Sequence, residues 1–129
     1  RTALAMECPD TSYTMAVAED GEQAVKRLTA VAEGPNPLPD LILLDLNLPR
    51  LHGKEVIRHF KQSEALRKIP IVVFTTSSSE TDIQESYRLG ASSYHVKPDN
   101  FSAYRALFSS LCRYWFGTVK LPSPSTQRN

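Results

Sequence analysis

The apolar positions of this chain change period several times, and each change predicts an element. Leu41-Ile42-Leu43-Leu44 and Ile69-Pro70-Ile71-Val72-Val73-Phe74 are nearly unbroken apolar runs. That is the pattern of strands buried on both faces, as in a parallel sheet covered by helices. Tyr13 to Ala18 and Ser93 to Lys97 add two shorter β-prone segments. Between the strands, apolar residues recur at helical spacing: Ala24, Val25, Leu28, Val31 and Ala32 within Glu22 to Glu33, then Val56, Ile57 and Phe60 after Gly53. A third helix is expected from Glu80 to Leu89, with Gly90 as its C-cap. A fourth runs from Ser102 to Phe116 on the stripe Tyr104, Leu107, Phe108, Leu111 and Trp115. Thr2 to Glu7 also favours helix and is stopped at Cys8-Pro9-Asp10, because proline cannot continue one. Gly34 to Pro39 is a breaker-rich loop.

Strands that alternate with helices predict an α/β fold with a parallel sheet, here four strands preceded by a partial helix. One domain over residues 1–122 is expected, with a loose polar tail over 123–129. The composition, 41% hydrophobic and 22% charged, supplies apolar material for one core. Fifteen basic and fourteen acidic residues nearly cancel, so charge gives no argument for nucleic acid or a membrane surface as partner. No apolar run approaches the roughly 20 residues that cross a bilayer, and no secretory leader is visible. The cytoplasm is the expected compartment. Cys8 and Cys112 lack metal-type spacing, and each reads as a small buried or half-buried hydrophobe rather than a disulfide partner.

Function in an open parallel sheet gathers at the carboxyl ends of the strands. Three such ends carry reactive side chains: Asp45, Thr75 and Lys97. Neighbouring strands lie about 4.8 Å apart, so the three can converge on one small anion. A carboxylate nucleophile, a hydroxyl that bonds a transferred oxygen and a lysine that neutralises charge together make a phosphoryl site. Alone, each residue has an ordinary reading: the aspartate as a turn residue, the lysine as a solvated charge, the threonine as a back-bonding side chain. The combination carries the argument.

These residues stand in ordered motifs that resemble the receiver domain of two-component response regulators. The matching text is Glu19-Asp20-Gly21, Asp40 to Pro49 with Gly53 following, Ile69 to Thr76, and Gly90 to Pro98. The resemblance implies a flavodoxin-like, doubly wound parallel sheet of order 2-1-3-4-5 and a signalling module rather than an enzyme. It makes Asp45 the acceptor of a phosphoryl group from a sensor histidine kinase, Thr75 the switch hydroxyl, Tyr94 the aromatic that follows it, and Lys97 the phosphate-contacting lysine. Mg²⁺ is the implied cofactor, held by Asp45 and the backbone carbonyl of Asn47. Lys97-Pro98 matches a cis peptide of the family. The Gly34 to Pro39 loop and the end Tyr114 to Pro122 are similar to stand-alone response regulators associated with bacterial phytochromes. The implied output is a change in protein–protein contacts. Tyr114 and Phe116 flank the last helical stripe, and they either mark a surface for self-association or pack beneath Val119 and Leu121.

One departure stands out. Receivers open with a strand ending in an acidic pair that holds Mg²⁺, and both are absent here; the expectation is that the true start lies upstream of Arg1. In the family that strand is central, so its loss is expected to leave the strands on either side of it unpaired. In the family's arrangement that strand lies between Glu19-Asp20 and Asp45, so with the acidic pair missing only Asp45 and the Asn47 carbonyl remain and weak Mg²⁺ binding is expected. Three other functions compete. A phosphatase with an aspartyl nucleophile needs a second carboxylate where Asn47 stands. A flavodoxin-type binding module leaves Asp45 and Lys97 unexplained. A degenerate receiver acting as a phosphorylation-independent interaction module draws support only from the missing acidic pair.

Overall fold

Five strands and four helices follow one another in the computed structural model, which describes residues 3–7, 14–18, 20–48 and 50–121. They are β1 (Ala3–Glu7), β2 (Thr14–Ala18), α1 (Gly21–Glu33), β3 (Leu41–Leu44), α2 (Gly53–Gln62), β4 (Ile71–Thr75), α3 (Glu80–Leu89), β5 (Ser93–Val96) and α4 (Phe101–Arg113). The sheet has the order β1-β2-β3-β4-β5. β2 to β5 are mutually parallel, and β1 lies antiparallel at the edge. This is the α/β class with a parallel sheet that the alternation predicts, of the flavodoxin-like kind that the resemblance implies.

Every residue of β3 and β4 is buried, because helices cover both faces of the sheet. Side chains alternate along a strand, so Ile42, Leu44, Ile71 and Val73 meet Ala24 and Leu28 of α1 and Val56, Ile57 and Phe60 of α2. The intervening Leu41, Leu43, Val72 and Phe74 meet Leu111 and Cys112 of α4 and the Trp115 and Phe116 beyond it. Helix starts are fixed by side chains that accept an otherwise unpaired N–H: Asp20 from Gln23, Ser79 from Asp82 and Asn100 from Ala103. Gly90 closes α3 at φ 118°, a conformation that favours glycine.

Several expectations are corrected. Ala3–Glu7 is a strand, not a helix, in register from Ala3 opposite Ala18 to Glu7 opposite Thr14. So short a helix is unstable by itself, whereas the open edge of β2 offers backbone partners. β2 and β3 are not left unpaired: they bond directly in parallel, from Met15 opposite Leu41 to Ala18 opposite Leu44. The demand that buried backbone groups be paired is met by this direct ladder. Cys112 is buried as expected but is disulfide-bonded, its partner lying outside the described residues. A disulfide needs Cα atoms within about 7 Å, a property of the fold that spacing does not reveal. α4 passes into a π-helical turn at Tyr114–Thr118, closed by Val119 N–H donating to the Tyr114 carbonyl at 3.0 Å. That turn buries Trp115 and Phe116, whereas Tyr114 is exposed; Val119 and Leu121 pack against the same cluster. Among the described residues no hydrogen-bond partner reaches the buried Trp115 Nε1. The expectations for Cys8-Pro9-Asp10, Tyr13, Glu19, Pro49 and the tail from residue 122 fall outside the described residues. Among the described residues no helix is long and apolar enough to cross a membrane.

Gly53 joins this scaffold to the candidate chemistry. Its N–H donates to the Leu46 carbonyl at 2.8 Å, and a Cβ there would sit 2.6 Å from both the Asp45 carbonyl oxygen and the Leu46 Cα. Both are backbone atoms, so neither yields cheaply. Gly53→Ala is expected to destabilise the fold by about 1–3 kcal/mol, as overpacking does, despite alanine's better helix propensity. A urea-unfolding midpoint at or above the wild-type value would contradict this.

Candidate functional site

The parallel ladder places three chemically distinct side chains at neighbouring strand ends. Asp45 directly follows β3, Thr75 is the last residue of β4 and Lys97 directly follows β5. The three converge as the sequence predicts. The Thr75 hydroxyl donates to Asp45 Oδ1 at 2.8 Å, and Lys97 Nζ lies 2.8 Å from Asp45 Oδ2. The Asn47 N–H donates to the same Oδ1 at 3.0 Å. Lys97 is aimed by its own backbone: its N–H donates to the Thr75 carbonyl at 2.7 Å, extending the ladder between β4 and β5. Its ammonium also stands 5.7 Å from the centre of the Phe74 ring. The expected cis Lys97-Pro98 peptide is absent, since no cis bond occurs among the described residues. The trans form is the lower-energy isomer of an X–Pro bond, and the backbone bond to Thr75 orients Lys97 without it.

Burial pushes the Asp45 carboxyl upward, but hydrogen bonds from Lys97, the Asn47 N–H and Thr75, with the charge of Lys97, outweigh it. The net value is lowered, so the carboxylate is charged at neutral pH, in the nucleophilic state.

Two sequence expectations are met differently. Tyr94 is half-buried against the core cluster of α1 and α2, and its hydroxyl donates to the Ser77 carbonyl at 2.9 Å. Its link to Thr75 therefore runs through Ser77, whose N–H faces the Thr75 hydroxyl at 3.5 Å. At Asn47 the group engaged with Asp45 is the N–H. The residues described supply a divalent ion with few ligands. Mg²⁺ takes near-octahedral oxygen ligation, usually with one or two carboxylates. Both Asp45 oxygens are occupied and one faces an ammonium. Among the described residues no group of three His, Cys, Asp or Glu side chains could hold a metal. Direct pairing of β2 with β3 brings the end of β2 beside that of β3, correcting the expected separation of Asp20 from Asp45. The Asp20 carboxylate is already engaged, capping α1 and pairing with Arg50 Nε at 2.9 Å. Arg50 itself has φ 72°, an uncommon left-handed conformation for a non-glycine residue.

A second polar group was not anticipated. Lys54 Nζ lies 2.7 Å from Asp82 Oδ1 and 2.6 Å from Glu85 Oε1, and Asp82 Oδ2 accepts the Ser77 hydroxyl at 2.5 Å. The Ser79-x-x-Asp82 spacing of a helix N-terminus was a usable signal for part of it. Nothing in the spacing of Lys54 points to a partner on another helix.

Comparison with known proteins agrees with this geometry. The pattern of the response regulator receiver domain matches residues 1–108. Response regulator Rcp1 of Synechocystis sp. is 38% identical over 112 residues, covering 86% of this chain and 76% of that protein. Its Mn²⁺-bound form superposes with a TM-score of 0.74 over 82% of this chain and 77% of that one. The phosphorylated cyanobacterial phytochrome response regulator RcpA gives a TM-score of 0.76 at 38% identity, over 82% and 76% of the two chains. A probable methanogenesis regulatory protein, FilR2 of Methanothrix harundinacea, is 39% identical over 106 residues, 82% of this chain and 68% of that protein. The chain belongs to the response regulator receiver family.

The lowered Asp45 value gives a titration test. A group depressed in the folded state contributes stability above its unfolded value and loses it as pH falls through the folded one. Removing the ammonium with Lys97→Met should move the Asp45 titration upward and shift that acid-side loss to higher pH. Carboxyl-carbon NMR across the acid range reads it. An Asp45 titration unmoved in the variant would remove Lys97 as a cause of the shift.

Proposed function

We propose that this chain, as a receiver, takes a phosphoryl group on Asp45 from a sensor histidine kinase and converts it into altered protein–protein contacts. The observation that carries the reading is one carboxylate bonded at 2.8 Å by both a hydroxyl and an ammonium. An Asp45 oxygen forms the new O–P bond as the P–N bond of a phosphohistidine breaks, and the released imidazole nitrogen keeps the electron pair and takes a proton. Lys97 offsets the charge gathering on the phosphoryl oxygens, and Thr75 donates its hydroxyl to one of them. Because Thr75 then leaves its place beside the Ser77 N–H, the loop that holds the Tyr94 hydroxyl is disturbed. Thr75 and Tyr94 thus form a two-state element biased by phosphate.

The likeness to Rcp1 and RcpA supports a phytochrome-type kinase as the donor. Self-association through α4 has narrower support, since Phe116 is buried and only Tyr114 of the expected pair is exposed. One observation favours the competing reading, an interaction module that needs no phosphate: among the described residues no group of three His, Cys, Asp or Glu side chains could hold a metal.

Incubation with acetyl phosphate, followed by intact mass, separates the two readings. Wild type should gain one phosphate and Asp45→Asn none. Thr75→Ala should accept phosphate yet transmit less of it to Tyr94, seen as a smaller displacement of the Tyr94 ring resonance. An undiminished adduct in Asp45→Asn would move the acceptor elsewhere. No adduct in wild type would favour the phosphate-independent module.

Mg²⁺ titration is a separate check. This chain should show no saturable response in the low-millimolar range, because Lys97 opposes a cation at Asp45. Saturable binding that vanishes in Asp45→Asn would overturn that account.

A further inference from the structure

Ser77 is a junction that the phosphoacceptor chemistry alone does not require. Its N–H faces the Thr75 hydroxyl at 3.5 Å, its carbonyl accepts from Tyr94 at 2.9 Å, and its hydroxyl donates to Asp82 at 2.5 Å. One residue thereby touches both members of the proposed switch and an acid on α3. That acid is held in turn by Lys54, the second residue of α2, directly after the glycine packed on the Asp45 carbonyl. The path Lys54–Asp82–Ser77 ties together the two loops that flank Asp45.

This arrangement differs from a scattered surface pair. One ammonium bridges two carboxylates on successive turns of α3, and the Lys54 and Asp82 side chains keep only 20% and 24% of their exposure. Ser79 N–H donates to the Ser77 hydroxyl oxygen, and Asp82 N–H donates to the Ser79 hydroxyl oxygen. Moving Ser77 therefore disturbs the cap of α3 as well. Hydrogen bonds to Lys54 hold Asp82 and Glu85 below the ordinary carboxylate range, and those acids raise Lys54 in return. All three are charged at neutral pH.

We propose that Lys54 is a positioning residue for the switch: by holding Asp82 it fixes Ser77 in the arrangement that retains Tyr94 in its unphosphorylated setting. The inference rests on the reading of Asp45, Thr75 and Tyr94 given above. The clamp opposes the loop movement that follows when the Thr75 hydroxyl turns to a phosphoryl oxygen, so without it Tyr94 already lies part-way toward its phosphorylated setting and phosphate has less left to shift. A partly exposed ion pair supplies a small bias, and a small bias is enough to change the populations of a two-state element.

The test compares Lys54→Met with wild type and with Lys54→Arg, first without any phosphodonor. Amide exchange at Ser77 and Ser79 should be about fivefold faster in Lys54→Met, the scale of one such pair in a local opening. The Tyr94 ring resonance should move, and Lys54→Arg should keep wild-type values for both. Asp82→Asn, which retains an oxygen for Ser77 but loses the charge, should reproduce the effect and serves if Lys54→Met does not fold. Unchanged exchange and an unmoved ring signal in a folded variant overturn the clamp. Acetyl phosphate is then added. Lys54→Met should take phosphate on Asp45 as wild type does, while the further shift of Tyr94 shrinks; an undiminished shift also overturns the proposal. Absence of phosphate uptake in wild type would instead count against the phosphoacceptor reading, and the exchange data would decide the clamp independently.

Discussion

Buried strands must spend their N–H and C=O groups on one another, and the parallel ladder from β2 to β5 follows from that requirement. Because β3, β4 and β5 run side by side in the same direction, their carboxyl ends share one edge. Asp45, Thr75 and Lys97 meet there without any loop having to carry them. The ladder even extends past the last strand, where the Lys97 N–H bonds the Thr75 carbonyl. The same requirement explains the other end of the sheet. β2 docks on β3, and β1 closes the edge that β2 would otherwise expose.

On that frame the charges are set against each other. Burial pushes the Asp45 carboxyl upward, and three donors outweigh it. A carboxylate held this way is oriented as well as charged, which lowers the rearrangement needed to attack phosphorus. The lysine that would offset charge on a phosphoryl group also repels a cation at the same carboxylate. Anion recognition and metal binding therefore pull in opposite directions at Asp45.

Much of this was legible in the sequence, for identifiable reasons. Leu41 to Leu44 and Ile71 to Phe74 are too uniformly apolar to be anything but doubly covered strands, and the polar residue that ends each run fell at the site. Ala3–Glu7 was misread because its fate depends on a free strand edge, which no local pattern encodes. Direct pairing of β2 with β3 was missed for the same reason. Tyr94 was recognised, but its hydroxyl's partner was not, because Ser77 binds it through a backbone carbonyl that every residue possesses. Lys54 left no trace at all: its partners lie on another helix, and only the packing of α2 beside α3 brings them within reach.

The turn after α4 has a practical consequence. The chain contains one tryptophan, and the π-helical turn seats it against the sheet face opposite α1 and α2, with its indole nitrogen buried and without a hydrogen-bond partner among the described residues. Light emitted by that ring arises from a single address. Its colour therefore reports how wet that face is, with no dye attached and no competing indole to subtract.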